Sequence, residues 1–250
     1  MEKAENERCK FGLVGKNISY SFSRGYFHEK FKVLNLPHHS YQNFDLEKIE
    51  DFSALLTNME YLKGLNVTIP YKEDVISYLD SIEESAKEIG AVNTIKIDEK
   101  GLTGYNTDAY GFQKSLEPHL KPYHKKALIL GTGGASKAVA YVLKKLDIDF
   151  KFVSRSGKNN GLTYENLTPS IIKENTLIIN CSPIGTYPDI DKKPKIPYSG
   201  IHDRHLLYDL IYNPEKTAFL KFGEKRGAQI YNGLRMLELQ AEKAWEIWNA

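Results

Sequence analysis

The hydrophobic positions along the chain alternate between two periodicities. Short apolar runs, such as residues 11–15 and 126–130, are followed by segments whose apolar residues recur every three or four positions. The short runs predict buried strands, and the longer segments predict amphipathic helices. A chain in which the two alternate forms an α/β fold with largely parallel sheets. We therefore predict an α/β protein.

The first hundred or so residues form one self-contained α/β pattern. The sequence Asp-Glu-Lys-Gly at 98–101 separates two β-rich runs, which is typical of a hairpin. Ser23 is a suitable cap for the first helix, and Pro70 suits the first turn of a helix that follows a strand. Strands are expected at 11–15, 39–44, 62–69, 92–97 and 102–105, and helices at 23–34, 46–56, 71–79 and 82–90.

The remaining residues form a second pattern that predicts a parallel sheet. A connecting helix is expected at 107–116, and the last helix, at 234–248, carries one apolar stripe along its length. Further strands are expected at 126–130, 149–153, 176–180, 206–209 and 228–231. One helix is expected to end near residue 146, and another to span 215–224.

Composition narrows the possible functions. The 250 residues carry 34 basic and 32 acidic side chains, a net charge of +2, which calls for no nucleic-acid or membrane partner. The only cysteines, Cys9 and Cys181, are far apart and are expected to be free thiols, as in a reducing cytosol. No apolar run reaches the ~20 residues of a membrane span, and the scattered histidines suggest no metal site. We expect a soluble cytoplasmic protein.

A glycine-rich loop follows the predicted strand 126–130 and opens a helix. In this context Gly131 permits a tight turn, while Gly133 and Gly134 let the backbone approach a pyrophosphate at the helix N-terminus. Ser136 stands where a small residue allows close packing of helix and strand. The alternative is an ordinary strand-to-helix turn. The candidate cofactor-binding residues here are Gly131, Thr132, Gly133, Gly134 and Ala135.

The end of the next predicted strand indicates which dinucleotide would bind. NAD sites usually have an acidic residue there, whereas this chain has Ser154-Arg155-Ser156-Gly157-Lys158. Arg155 can stack on adenine and pair with a 2′-phosphate, and Ser154, Ser156 and Lys158 can assist. The pattern favours NADP over NAD. The alternative for Arg155 is an ordinary surface arginine.

Lys72 and Asp108 are the candidate acid–base pair. Lys72 falls in the first turn of the helix predicted at 71–79, where the helix dipole disfavours a cation. A residue that breaks a local rule in this way is a candidate for function. The alternative for Lys72 is a solvated helix residue, and Asp108 could equally serve as a helix N-cap.

Three further polar residues are candidates for substrate binding. Ser21 and Ser23 form a Ser-x-Ser pair whose hydroxyls could hold a carboxylate, although Ser23 could simply be a cap. Gln240 lies on the apolar stripe of the last helix, so its amide should be buried and needs a partner. That partner is either a bound hydroxyl group or a facing backbone group.

Six motifs in fixed order resemble the shikimate dehydrogenase family over almost the whole chain. The segment Asn66–Lys72, within 64–72, resembles the catalytic-lysine motif of that family. The others are Gly90-Ala91-Val92-Asn93-Thr94, Gly104-Tyr105-Asn106-Thr107-Asp108, the loop 131–136, Asp209-Leu210-Ile211-Tyr212-Asn213-Pro214, and Gly233-Leu234-Arg235-Met236-Leu237 continuing to Gln240.

The resemblance implies a role for each matching residue. Lys72 is the acid–base residue, with Asp108 as its partner through the substrate. Ser21, Ser23 and Tyr212 hold the substrate carboxylate, and the ring hydroxyls face Thr68, Lys72, Asn93, Asp108 and Gln240. Leu210 and Gly233 line the nicotinamide end of NADP.

The resemblance also implies a domain organisation and an activity. Residues 1–107 form a substrate-binding catalytic lobe that is joined by the C-terminal helix 234–250, and residues 108–233 form a Rossmann-like NADP-binding lobe. The expected activity is reduction of 3-dehydroshikimate to shikimate with NADPH, by a monomer or homodimer. Two alternatives stay open: a quinate/shikimate dehydrogenase that uses NAD, and a non-catalytic sensor of NADP or a shikimate-like ligand.

Overall fold

The computed structural model describes residues 8–19, 21–157 and 161–250. Strands and helices alternate along most of this part of the chain, so the predicted α/β class is confirmed. The strands are β1 (Cys9–Gly15), β2 (His39–Asp45), β3 (Leu62–Val67), β4 (Ser81–Ile82), β5 (Thr94–Asp98), β6 (Gly101–Tyr105), β7 (Lys126–Leu130), β8 (Asp149–Ser154), β9 (Leu162–Thr163), β10 (Leu177–Asn180), β11 (Leu206–Asp209) and β12 (Gln229–Tyr231). The α-helices are α1 (Phe22–Val33), α2 (Phe52–Asn58), α3 (Glu84–Ile89), α4 (Thr107–Leu116), α5 (Gly134–Lys145), α6 (Pro169–Glu174), α7 (Ala218–Glu224) and α8 (Leu234–Asn249).

The chain divides into two compact units. The first comprises residues 1–107 and 241–250, and the second comprises residues 108–240. The start of α8, residues 234–240, lies in the second unit. There it packs closely against α4: a Cβ atom on Gly111 of α4 would lie 2.5 Å from the Met236 carbonyl oxygen of α8.

The first unit contains a mixed six-stranded sheet in the order β2-β1-β3-β5-β6-β4. Strand β1 lies between β2 and β3 and is parallel to both, whereas β5 is antiparallel to β3 and β6. The predicted hairpin is confirmed, with Asp98 opposite Gly101. The connection after β1 leads to β2 on one side of β1, and the next connection leads to β3 on the other side. The gap between the carboxyl ends of β1 and β3 is therefore a topological switch point. Open α/β sheets bind ligands at such points.

The end of α8 is anchored in the core of the first unit. Trp248 stacks on Phe11, with ring centroids 4.8 Å apart, and its indole N–H donates to the Ile95 carbonyl oxygen at 2.9 Å. A Cβ atom on Gly64 would lie 2.2 Å from Trp248 Nε1, so β3 needs glycine there to admit the ring. The last ten residues of the chain, 241–250, thus belong to the first unit.

The second unit contains a parallel six-stranded sheet in the order β12-β11-β10-β7-β8-β9. Counted from β7 as the first strand, this is the order 3-2-1-4-5-6 of the doubly wound dinucleotide-binding fold. Its core includes Leu128, Leu130, Ile178, Leu207 and Phe219, all fully buried. The predicted Rossmann-like fold is thus confirmed, and its switch point lies between β7 and β10.

The helix predicted at 71–79 is wrong in type and in start. The segment begins with a turn, in which the Tyr71 N–H donates to the Thr68 carbonyl at 3.0 Å, and a 3₁₀ helix follows at Asp74–Tyr78. The Lys72 carbonyl accepts a hydrogen bond from the Val92 N–H at 2.7 Å. Because this carbonyl points to another part of the chain, it does not accept the bond that an α-helix would require.

No helix in the described ranges is long and apolar enough to cross a membrane.

Candidate active site

Several predicted substrate residues follow the carboxyl ends of β1 and β3 in the first unit. Thr68 comes directly after β3, and its N–H donates to the Val14 carbonyl of β1 at 2.9 Å. A Cβ atom on Gly15 would lie 2.5 Å from Thr68 Cγ2, so glycine at the end of β1 allows the two strand ends to approach closely. Thr68 and the turn that carries Lys72 are thereby placed at the switch point.

Ser21 and Ser23 lie at the start of α1, but not as predicted. Ser21, rather than Ser23, occupies the N-cap position, and its side chain makes no capping hydrogen bond. Ser23 lies inside the helix and is 9% exposed. Capping therefore explains neither hydroxyl, which leaves Ser21 available for a ligand at the carboxyl end of β1.

Lys72 is half-buried in the turn before the 3₁₀ helix, so the argument from the dipole of an α-helix does not apply. Two contacts fix its backbone position instead. The Lys72 carbonyl is bonded to the Val92 N–H, and the buried Tyr71 hydroxyl donates to the Leu46 carbonyl at 2.7 Å. These contacts hold the turn in place and tie its backbone to the segment that carries Val92.

Asn93 is 3% exposed and links β3 to the start of α4. Its Oδ1 accepts from the Thr107 N–H at 2.7 Å, and its Nδ2 donates to Thr107 Oγ1 at 3.0 Å. Its carbonyl accepts from the Val67 N–H at 2.9 Å. Asn93 therefore fixes the first helical residue of α4, directly before Asp108.

Asp108 is the second residue of α4 and is 7% exposed. The N-cap position, immediately before the helix, is that of Asn106. The capping alternative for Asp108 is therefore not supported by the observed helix start. Its burial is unusual for an aspartate that serves only as a solvated surface residue.

A buried polar network joins Ser23 to Asn93 through two residues that the sequence did not single out, Tyr41 and Asn66. The Tyr41 hydroxyl donates to Asn66 Oδ1 at 2.8 Å, and burial raises the pKa of this phenol, opposed by its hydrogen bond with Ser23. Asn66 Nδ2 donates to the Asn93 carbonyl at 3.3 Å and to Thr94 Oγ1 at 3.2 Å. An asparagine among the buried positions of a strand was the available signal, since buried amides need partners.

Replacing Tyr41 by phenylalanine should lower the free energy of unfolding by about 1–3 kcal/mol, because Asn66 Oδ1 would lose its buried donor. Urea unfolding followed by circular dichroism would measure the change. Tyr61→Phe is the matched control, since Tyr61 is 52% exposed, and it should leave stability unchanged. Equal stabilities for Tyr41→Phe and wild type would show that the network carries no net energy.

The glycine-rich loop of the second unit lies at the switch point between β7 and β10. Gly131 has a φ of +117°, which favours glycine, and a Cβ atom there would lie 3.2 Å from the Cys181 carbonyl group after β10. Gly133 is the N-cap of α5, and a Cβ atom on it would meet nothing within 4 Å. The backbone around Gly133 therefore faces open space at a helix N-terminus, which fits a pyrophosphate.

The other residues of this loop also take the predicted positions. Gly134 is the first residue of α5, with Ala135 after it, and Thr132 is half-buried before Gly133. Ser136 is 1% exposed, and its hydroxyl donates to the Gly133 carbonyl at 2.6 Å. Its small size allows the start of the helix to pack on the sheet, as predicted.

The residues predicted at the adenine side follow β8. Ser154 is the last residue of β8 and is 9% exposed, while Arg155 and Ser156 are exposed. An exposed arginine at the carboxyl end of the second strand is suitably placed for the ribose of a dinucleotide. Lys158 lies outside the described residues.

The residues predicted at the nicotinamide side come together after β11. A Cβ atom on Gly233 would lie 2.0 Å from the Leu210 carbonyl oxygen, and the Gly233 N–H donates to the Ile211 carbonyl at 3.1 Å. Tyr212 is half-buried, and burial raises the pKa of its phenol. Glycine at 233 is thus required for the close approach of these two segments.

Gln240 is 6% exposed on α8, as expected from its place in the apolar stripe. Its Nε2 donates to the Leu237 carbonyl of the same helix at 2.9 Å. The backbone of α4 approaches it closely, since a Cβ atom on Gly111 would lie 3.1 Å from Gln240 Cβ. This hydrogen bond lies within α8 itself and is not the bond to a facing backbone group that the structural alternative called for, so the choice between the two partners stays open.

Asp209 is a buried carboxylate that sequence reasoning did not select. It is fully buried at the end of β11, and its oxygens accept from Thr217 Oγ1 at 2.6 Å, Asn180 Nδ2 at 3.0 Å and the Ile211 N–H at 3.1 Å. Burial raises its pKa to about 6, although the three hydrogen bonds oppose this. Asp209 ties the loops after β10 and β11 together and so positions Leu210.

The contribution of Asp209 to stability should fall as pH rises through about 6. The folded-state pKa lies above the unfolded value, so the contribution is fully present below about pH 4 and is lost above the folded pKa. A shift of about two units corresponds to roughly 3 kcal/mol. We therefore expect the stability difference between wild type and Asp209→Asn to change by about that amount between pH 4 and 7.

Urea unfolding of both proteins at several pH values would measure this change. Asp203→Asn is a control for charge removal, because Asp203 is exposed. A difference between wild type and Asp209→Asn that does not vary with pH would contradict the assignment.

Comparison with known proteins identifies the family. Residues 13–95 match the family described as "Shikimate dehydrogenase substrate binding domain". A shikimate dehydrogenase (NADP(+)) from Clostridium beijerinckii is 41% identical over 95% of this chain and 91% of its own length.

Solved structures show the same relationship. Shikimate 5-dehydrogenase from Thermus thermophilus, in complex with NADP(H) and shikimate, superposes with a TM-score of 0.85 at 28% identity, over 96% of this chain and 93% of the other. Quinate dehydrogenase from Corynebacterium glutamicum, in complex with NAD, gives 0.84 at 26% identity, over 97% and 94%. The extent of the match to the Clostridium relative decides the assignment: the chain belongs to the shikimate dehydrogenase family.

Proposed function

We propose that the protein is an NADP-dependent oxidoreductase that reversibly reduces 3-dehydroshikimate to shikimate, a step toward chorismate and the aromatic amino acids. The observation that carries the proposal is the 41% identity, over nearly the whole chain, to a relative named for this reaction. The positions of Lys72 and of the glycine loop, each at the switch point of its sheet, support it.

Lys72 is the acid–base residue in this proposal. Bound NADPH supplies a hydride to the carbonyl carbon of the substrate. The Lys72 ammonium donates a proton to the developing alkoxide, and the neutral amine accepts it in the reverse direction. The fixed carbonyl of Lys72 limits the positions that its side chain can reach, which favours a defined proton path.

The substrate is held by hydroxyl, amide and carboxylate groups. Ser21 and Ser23, with Tyr212, bind its carboxylate, and Thr68 and Asn93 contact its ring hydroxyls. Asp108 accepts a hydrogen bond from a ring hydroxyl and orients Lys72, and Gln240 contributes its amide. The buried contacts of Asn93 and Ser23 support this proposal, because they fix the orientation of both side chains before a ligand binds.

NADP fits the residues of the second unit. The open backbone face at Gly133 suits the pyrophosphate, exposed Arg155 suits a 2′-phosphate, and no acidic residue stands at 154–156 to bind a ribose 2′-hydroxyl. Leu210 and Gly233 line the nicotinamide end. The residues 1–107 with the C-terminal helix thus provide substrate binding, and the second unit provides cofactor binding.

A spectrophotometric assay tests the proposal by following reduced nicotinamide with shikimate or quinate as substrate and NADP or NAD as cofactor. We expect shikimate with NADP to give the highest kcat/KM. Preference for quinate with NAD would favour the second candidate, which the similarity to the Corynebacterium enzyme motivates. No turnover with any pair would favour a sensor.

The oligomeric state and cellular location that we propose are inferred from the sequence. A monomer or homodimer in the cytoplasm suits a biosynthetic enzyme with two free cysteines. Light scattering coupled to size-exclusion chromatography would determine the oligomeric state, and a trimer or larger assembly would contradict it.

A further inference from the structure

A cavity of about 680 Å³ lies beside Arg155 in the second unit. It opens at the carboxyl edge of the sheet, because Arg155 follows β8 and Tyr164 follows β9, and these two strands pair at Ser154 and Thr163. Another part of its lining comes from the segment 191–195 in the long connection between β10 and β11. Nucleotides bind at this edge in doubly wound folds.

Among the residues that the structure describes, the lining of the cavity carries four cations and two carboxylates. The cations are Arg155, Lys192, Lys193 and Lys195, and the carboxylates are those of Glu165 and Asp191. These described residues therefore have a net charge of +2, which is four cations minus two carboxylates. A concave surface with excess positive charge concentrates anions.

The lysines differ in how their charge is compensated. Lys192 already forms an ion pair with Asp189, at 2.9 Å. In the part of the chain that the structure describes, Arg155, Lys193 and Lys195 form no such pair. Lys193 is held by aromatic rings instead, with its Nζ 4.1 Å from the centroid of Phe222. These three cations come from two separate segments of the lining, with Arg155 after β8 and Lys193 and Lys195 in the connection between β10 and β11.

The rest of the lining suits a flat base. Tyr164 is half-buried, and its phenol is close enough to Arg155 to interact with it electrostatically. Ile184, after β10, adds an aliphatic surface. Aromatic and guanidinium faces with an adjacent aliphatic side chain can bind a purine ring by stacking.

We propose that Lys195 and Lys193 form a second wall of the site for the ribose phosphate monoester that distinguishes NADP from NAD. The proposal rests on the function proposed above and extends its cofactor site to the connection between β10 and β11. A phosphate monoester carries nearly two negative charges at neutral pH, so more than one cation is needed to balance it. Lys193 and Lys195 would neutralise the remaining phosphate charge, since a lysine ammonium is a point charge that needs no fixed geometry to act.

Calorimetric titration of the full chain with adenosine 2′,5′-bisphosphate and with adenosine 5′-monophosphate tests the proposal. Lys195→Ala should weaken binding of the bisphosphate about fivefold and change the affinity for the monophosphate by less than twofold, because an exposed charge contact is modest in strength. Lys193→Ala should act in the same direction. Lys192→Ala is the matched control in the same lining, since its ammonium is already paired with Asp189, and it should bind both probes as wild type does.

The two proposals can fail separately. Equal bisphosphate affinities for Lys195→Ala, Lys193→Ala and wild type would overturn the second wall while leaving activity with shikimate and NADP intact. Equal losses for Lys192→Ala and Lys195→Ala would also overturn it, because a general loss of positive charge would then explain the effect. Absence of turnover in the wild-type assay would instead overturn the proposed function.

Discussion

Replacing Lys72 by alanine should lower kcat by roughly a hundredfold to ten thousandfold, the usual range for loss of a general acid or base. KM for shikimate should stay within a few-fold of wild type, because the lost interaction acts mainly in the transition state. The backbone bond from the Val92 N–H to the Lys72 carbonyl does not involve the side chain, so the turn should persist. Steady-state kinetics in the direction of shikimate oxidation would measure both constants.

Two further variants separate proton transfer from charge and from general damage. Lys72→Arg keeps the positive charge but remains protonated, so it should be nearly as slow as Lys72→Ala if proton transfer is the role. Lys63→Ala removes an exposed lysine from β3 of the same unit and should be as active as wild type. Turnover near the wild-type rate in Lys72→Ala would rule out the proposed acid–base role.

Local sequence signals predicted those parts of the fold whose determinants lie within a few residues. The loop 131–136 is one example, because a strand, a glycine that can adopt positive φ and a helix start follow one another directly. The turn at Lys72 is a counterexample. Its helix was predicted from residues 71–79, whereas the deciding hydrogen bond comes from Val92, twenty residues further along the chain.

The same distinction explains the candidate site. Lys72, Asn93 and Asp108 were selected as candidates because they stand in short motifs, whereas Tyr41 and Asp209, which lie in the buried hydrogen-bond networks, were not selected. Tyr41 meets Asn66 from 25 positions away, and Asp209 is bonded to Asn180 from 29 positions away. A single sequence carries little information about such contacts, since they arise when strands from separate segments pair. A polar residue in an otherwise apolar strand is the signal that would have found Asn66.

For Asp108, a catalytic role and a helix-stabilising role predict opposite effects of mutation on turnover and on stability. As the second residue of α4, it lies after the N-cap position, and the first helical N–H, that of Thr107, is already bonded to Asn93 Oδ1. Its carboxylate is therefore not needed at that N–H, although it is 7% exposed. If its role is to orient the substrate and Lys72, then removing the charge should affect turnover far more than stability.

Asp108→Asn should accordingly lower kcat by roughly a hundredfold, within the range for acid–base groups. The free energy of unfolding should change far less than turnover does, because asparagine keeps the shape of the side chain and an oxygen that can accept a hydrogen bond. Kinetics and urea unfolding of the same preparation would measure both quantities. Asp74→Asn is the matched control, because exposed Asp74 also begins a helix, and it should leave kcat unchanged. A purely structural Asp108 would show the reverse, with stability reduced and kcat retained, because a helix-stabilising carboxylate contributes to folding and has no part in proton transfer.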